Sequence, residues 1–373
     1  MKSKTLRDFC SATILMLTTQ ASAALGQMQL HMIEVGKSPN SIVALPKAQR
    51  IYVANQGGDS ISVIDMHTNR VAATVAGCAA PFDVVARADE AFVYVSCQNE
   101  NAIGVLDTKA NQLVHKIAMQ GGLSPSFISI TPDGKKLYVS NIYGVTTRFQ
   151  GNLNVIDTQS ISVIATVTNT PTALVGLGCP EGNAITPDGK YLYLNTQCAT
   201  AGGHRSYDPI FIVDVATDTV VRELAAAYAS VGSGMAITPD GRQAWAAGGD
   251  ACSAPWPEYE RARREHGAFV CGKPGGNPIT VIDTKTRKWK QIFYGAPNFI
   301  SFSSEKRDEK LTRYAYVATD VGLLVIDTTT LASVRKIPVG GITGRLAFSQ
   351  DGKTAYAALP AKNALAVFRL TGI

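Results

Sequence analysis

No C-x-x-C and no C-x-x-C-H occurs anywhere in the chain. Covalent c-type haem and thioredoxin-like chemistry are therefore excluded, and a zinc ribbon is not expected. Helical periodicity is absent almost throughout. Beyond the first residues no apolar run approaches the length needed to span a bilayer. Charge is sparse: 17% of residues are charged and 46% hydrophobic, a globular rather than a disordered composition. The basic residues are scattered apart from one cluster near 261–264, so nucleic-acid binding is not expected. G-x-S-x-G, H-E-x-x-H, P-loop and dinucleotide fingerprints are missing from any meaningful setting. The "GLGCPEG" at 176–182 has no helix to follow it.

What is present begins with a leader. Lys2, Lys4 and Arg7 form a positive start, Ala12 to Leu17 a short apolar core, and Ala21-Ser22-Ala23 a small-residue cleavage signal. Residues 1–23 thus read as a secretory signal removed before Ala24, which makes the protein periplasmic or secreted. No cysteine stands at the cleavage site, so lipid attachment is not expected. Losing three basic residues and Asp8 takes the formal net charge from +6 to +4. Six cysteines then remain: Cys78, Cys97, Cys179, Cys198, Cys252 and Cys271. Six cysteines allow fifteen pairings, but in order they form three couples, each separated by 19 residues. In an oxidising compartment these read as three local disulfides.

The rest of the chain, 24–373, reads as one domain built on a repeat. The phrase "SISVID" returns as GVLD, NVID, IVD, TVID and LVID, ending on Asp65, Asp107, Asp157, Asp214, Asp283 and Asp327. A seventh copy, "LAVFRL", carries Arg369 in that slot. The spacings are 42, 50, 57, 69, 44 and 42 residues, a minimum near 42 with insertions. Such a period, made of short alternating runs, predicts four strands per unit and hence a propeller blade. Strand A follows a proline or glycine. A TPDG or SQDG turn leads to strand B, such as IYVAN or LYVSN. Strand C carries the aspartate phrase, and strand D is AATV or a counterpart. The aspartates are predicted to cap the turn after strand C rather than to catalyse. The fold class is therefore all-β: seven four-stranded blades, the seventh short of a strand D. Residues 29–35, "QLHMIEV", match the D phrase and are predicted to complete the last blade and close the ring.

IYVAN, LYVSN, the TPDG turns and the VID phrase resemble the YVTN-repeat family of seven-bladed β-propellers over about 29–370. WD-repeat and kelch signatures are absent. The resemblance implies an exported protein, related to propellers of periplasmic amine and nitrite metabolism and to lactonase-like propellers. It does not specify function, which lives in a site.

Candidate sites lie where the copies differ. Blades 3, 4 and 5 carry long B-to-C insertions, the last spanning about 248–277. These place Arg148, His204, Arg205, Tyr207, Asp208, Trp256, Tyr259, Arg261, Arg263, Arg264 and His266 on one face. Aromatic residues beside arginines suit contact with a protein partner or a small ligand. The same face holds the mouth of the central channel. Aligning the copies puts there Asn40 and Ser41, Phe82 and Asp83, Ser126 and Phe127, Glu181 and Gly182, Ser233 and Gly234, Asn298 and Phe299, Gly344 and Arg345. Asn40 and Asn298 are ligand-contact candidates. Glu181, Asp83 and Arg345 with His204 or His266 are candidates for acid–base work. No cofactor is evident, and a divalent metal is allowed but unsupported. The leading expectation is a binding or scaffold module. A lactonase-like hydrolase with its site at the channel mouth is the first alternative. A non-catalytic subunit of a periplasmic redox complex is the second.

Overall fold

The computed structural model describes residues 31–144, 151–167, 177, 179–197, 208–227, 234–248, 278–294, 297–303, 313–319, 322–339, 341 and 344–370. They form seven four-stranded antiparallel sheets, the blades of a β-propeller. In blade 1, strands A to D are Pro39–Leu45, Arg50–Asn55, Ser60–Asp65 and Arg70–Ala76. Strand A of blades 2 to 7 is Pro81–Ala86, Gly122–Ile130, Cys179–Ile185, Met235–Ile237, Pro297–Phe302 and Leu346–Phe348. These seven strands line the central channel. The ring closes as the sequence leads one to expect. His31–Glu34 pairs antiparallel with Ala364–Arg369, strand C of blade 7, with Ile33 opposite Leu365. Ile33 is buried there among Ile42, Tyr356 and Val367.

The repeat words are explained by their hydrogen bonds. Each of the six aspartates ending strand C accepts two backbone N–H groups from the following turn, as Asp65 Oδ1 does from His67 and Thr68. In the TPDG turn Thr131 Oγ1 donates to Asp133 Oδ1 at 2.6 Å, and the Lys135 N–H donates to the same oxygen. Gly134 sits at φ +72°, a conformation that a Cβ would strain. Strands B and C are almost wholly buried, whereas strand D faces outward.

In blades 1 to 5 an aromatic residue of strand B meets the C-to-D turn of the next blade. Tyr52 donates to Asn111 Oδ1 at 2.7 Å, in the C-to-D turn of blade 2. Tyr138 donates to Asp218 at the same place in blade 4, where Lys136 also pairs with that carboxylate at 2.8 Å. Arg287 of blade 5 lies over the rings of Tyr191 and Tyr193 of blade 4, at 4.9 and 5.4 Å. Tyr94 packs in one cluster with Ile161, and Trp245 with Leu331. All five turn residues have positive φ, so a left-handed residue is the fixed socket for the preceding blade.

In blades 1, 2 and 7 the B-to-C connection is a single 3-10 turn: Gln56–Gly58, Gln98–Glu100 and Pro360–Lys362. Each ends on a left-handed Asp59, Asn101 or Asn363, whose side chain accepts an N–H from Ala80, Ser124 or Ser38 in the next blade. Among the described residues no helix is long and apolar enough to cross a membrane.

Candidate functional site

Blade topology fixes which ends of the strands share a face. The D-to-A and B-to-C connections emerge together, and the A-to-B and C-to-D turns emerge opposite. Strand B of blade 3 is Lys136–Gly144 and its strand C begins at Asn152; in blade 4 the corresponding strands are Tyr191–Gln197 and Asp208–Asp214. In blade 5 they are Gln243–Ala247 and Pro278–Asp283. The long connections of three consecutive blades therefore leave from one side of one face. Arg148, His204, Arg205, Tyr207, Trp256, Tyr259, Arg261, Arg263, Arg264 and His266 lie outside the described residues, as do Ser233, Cys198, Cys252 and Cys271. Asp208 opens strand C of blade 4, but its side chain is also outside the described set. On the same face Cys78 and Cys97 form a disulfide, joining the connection before strand A of blade 2 to the end of its strand B. Cys179 is also disulfide-bonded.

The ring of residues opening the A strands is brought together, and most of it is occupied with itself. Asp83 is 1% exposed. Its Oδ1 accepts the Ser41 hydroxyl at 2.6 Å and the Val84 N–H at 3.0 Å. Its Oδ2 accepts the Ile128 N–H at 3.1 Å and lies 3.3 Å from Arg345 Nη2. One carboxylate thus joins blades 1, 2, 3 and 7. Asn40 donates its amide to the Phe82 carbonyl at 2.9 Å. Ser126 donates to the Ser140 carbonyl, and Asn298 accepts the Gly234 N–H on its own carbonyl. Gly344 passes so close to the Asn40 carbonyl that an added Cβ would lie 1.7 Å from the oxygen, so only glycine fits. Glu181 is also buried, at 1% exposure.

Three aromatic rings occupy the axis at this level. Phe127 of blade 3 meets Phe299 of blade 6 at 5.8 Å, and Phe82 of blade 2 meets Phe127 edge-on at 5.2 Å. Blades 3 and 6 stand as far apart as a ring of seven allows, so the contact crosses the channel. Sequence reasoning placed these residues at the mouth but did not see that they touch. Beneath them lies a cavity of about 510 Å³, lined by residues from all seven A strands or their ends. Arg345 stands at its closed end, and Pro46 and Pro132 at the A-to-B turns.

The three described histidines stay apart. His31 lies in the closing strand, His67 in a C-to-D turn and His115 in strand D of blade 2, Gln112–Ala118. Among the described residues no three His, Cys, Asp or Glu side chains are grouped so as to hold a metal ion.

No protein-family model matches the chain, and no curated protein matches it. Among solved structures it is similar to one described as Kuenenia stuttgartiensis hydrazine synthase, with a TM-score of 0.70 and 22% identity. That likeness covers 90% of this chain and 96% of the other. It is a likeness of fold: both are propellers.

Proposed function

We propose that the chain is an exported propeller that binds a protein partner or small ligand on the face bearing the long connections of blades 3, 4 and 5. The observation that carries this reading is that the strand ends flanking those three connections, in consecutive blades, lie on one side of one face. Long connections on a rigid scaffold are usually functional, and the blade 5 connection holds Trp256, Tyr259, Arg261, Arg263 and Arg264. The Cys78–Cys97 disulfide supports an oxidising compartment, in keeping with the leader-like start. A catalytic role for Asp83 finds less support, because donors surround both its oxygens. A more specific form of the reading is a non-catalytic propeller subunit of a periplasmic redox complex. The fold likeness to the hydrazine synthase structure suits it, as does the lack of any haem-attachment motif.

The test is capture from the exported fraction with two baits, the intact chain and a version with 253–270 replaced by a Gly-Ser linker. The reading expects a partner retained by the first and lost by the second, with the same melting temperature for both. Identical capture by the two baits, or none by either, overturns it.

A further inference from the structure

The central channel is closed at one end and open at the other. Phe82, Phe127 and Phe299 fill the axis on the face of the long connections. The cavity of about 510 Å³ below them reaches Pro46 and Pro132, so it opens on the face of the A-to-B turns. Its wall is the inner edge of seven sheets, with small or aliphatic side chains such as Val43, Ala184 and Ala236. Several backbone groups of these edges already bond across to the next blade: the Leu346 N–H donates to Ser301 Oγ, and the Asn183 carbonyl accepts the Ser129 hydroxyl. Among the described lining residues Arg345 is the one charged side chain.

Arg345 is held from behind and keeps donors in hand. Asp83 shares its charge among the Ser41 hydroxyl and the Val84 and Ile128 N–H groups. Its approach to the guanidinium is a single contact at 3.3 Å. A guanidinium carries five N–H donors in a planar fork suited to a carboxylate. The Arg345 side chain is 21% exposed, and it lines the cavity. The volume falls within the roughly 300–1,000 Å³ typical of small-molecule sites, and a lone inorganic anion would leave most of it filled with water.

We propose that this blind channel is a binding site for a small organic carboxylate, entering from the A-to-B face, with its carboxylate on Arg345 and its body along the aliphatic wall. This is independent of the partner-binding reading, which concerns the opposite face.

The test is calorimetric titration of the full chain with benzoate and hexanoate, each beside its neutral amide. Binding at about millimolar affinity or tighter is expected for the acids, and at least about tenfold weaker for the amides. Arg345→Gln should abolish the difference between acid and amide. Because that change leaves Asp83 buried without its cation, a second variant is needed. Ala236→Trp fills the channel from the blade 5 wall without touching the pair, and should keep the melting temperature while losing the acids. The proposal is overturned if acid and amide bind alike. It also fails if neither acid binds at up to about 20 mM, or if Ala236→Trp leaves binding unchanged.

Discussion

The left-handed residue in the C-to-D turns of blades 2 to 6 is a socket filled by the blade before it. At Asn111 the socket has two parts, a backbone at φ +51° and a side-chain oxygen that accepts the Tyr52 hydroxyl. Burial pushes the Tyr52 phenol up to about 12, so it donates throughout the ordinary pH range. Asn111→Ala loses both parts and is expected to cost about 2–3 kcal/mol in chemical denaturation. Asn111→Gly keeps the backbone and should cost less. Equal losses would show that the backbone conformation contributes nothing. The turn aspartates make a second residue-scale prediction. N–H groups of Thr68, Ser160 and Thr286 hold the carboxyls of Asp65, Asp157 and Asp283 below the usual range. The hydroxyls of Thr131, Thr186 and Ser349 do the same for Asp133, Asp188 and Asp351. A lowered folded-state value means stability that is present above the unfolded value and lost as pH falls through the folded one. The melting temperature should therefore hold near neutrality and drop below about pH 4. Since these main donors are neutral, salt should change the drop little. Asp133→Asn, which keeps the acceptor oxygen, should blunt it. A flat profile between pH 5 and 3 would refute the argument.

At the scale of the element, the sequence is most readable where a strand sees its neighbours. Strands B and C have near-continuous apolar phrases because both faces of the sheet are covered, and the closing strand at 31–34 betrays itself by matching the D phrase. The 3-10 turns of blades 1, 2 and 7 are subtler, yet they left a sign in the Asp or Asn at 59, 101 and 363, each just before strand C. What could not be read is the closure of the channel. Repetition aligns Phe82, Phe127 and Phe299 as equivalents, but nothing in a repeat says which equivalents reach across to one another. The Asp83–Arg345 pair has the same character, since it skips blade 1. The cysteine spacing was readable because a 19-residue separation joins parts of one blade. Replacing Cys78 and Cys97 by Ala should lower unfolding free energy by about 3 kcal/mol. Reduction of the intact chain should match it for this bridge. A double variant as stable as the parent would mean that the buried cluster around Val95 and Leu106 holds the segment alone.

At the scale of the whole molecule, closure joins the two extremes of the described chain. Removing residues through Val35 exposes the edge of Ala364–Arg369 and takes Ile33 out of the core. Losing the burial of Ile33 alone should cost about 1.5–3 kcal/mol, and the lost strand pairing adds to it. Denaturant unfolding of the truncated chain should show a clearly lower midpoint, and an unchanged midpoint would mean the ring does not need its clasp.

That clasp also sets an order on biosynthesis. Blades 1 to 6 are built from strands adjacent in the chain, so each can form soon after it is made. His31–Glu34 is made early, but its partner Ala364–Arg369 is the last of the described strands to be made. Through nearly all of translation it is an unpaired edge, and so is the growing front. A product cut short before Ala364 would keep both edges open, ready to pair with other chains. Joining the first described strand to the last makes the closed ring a check that every blade between them is present.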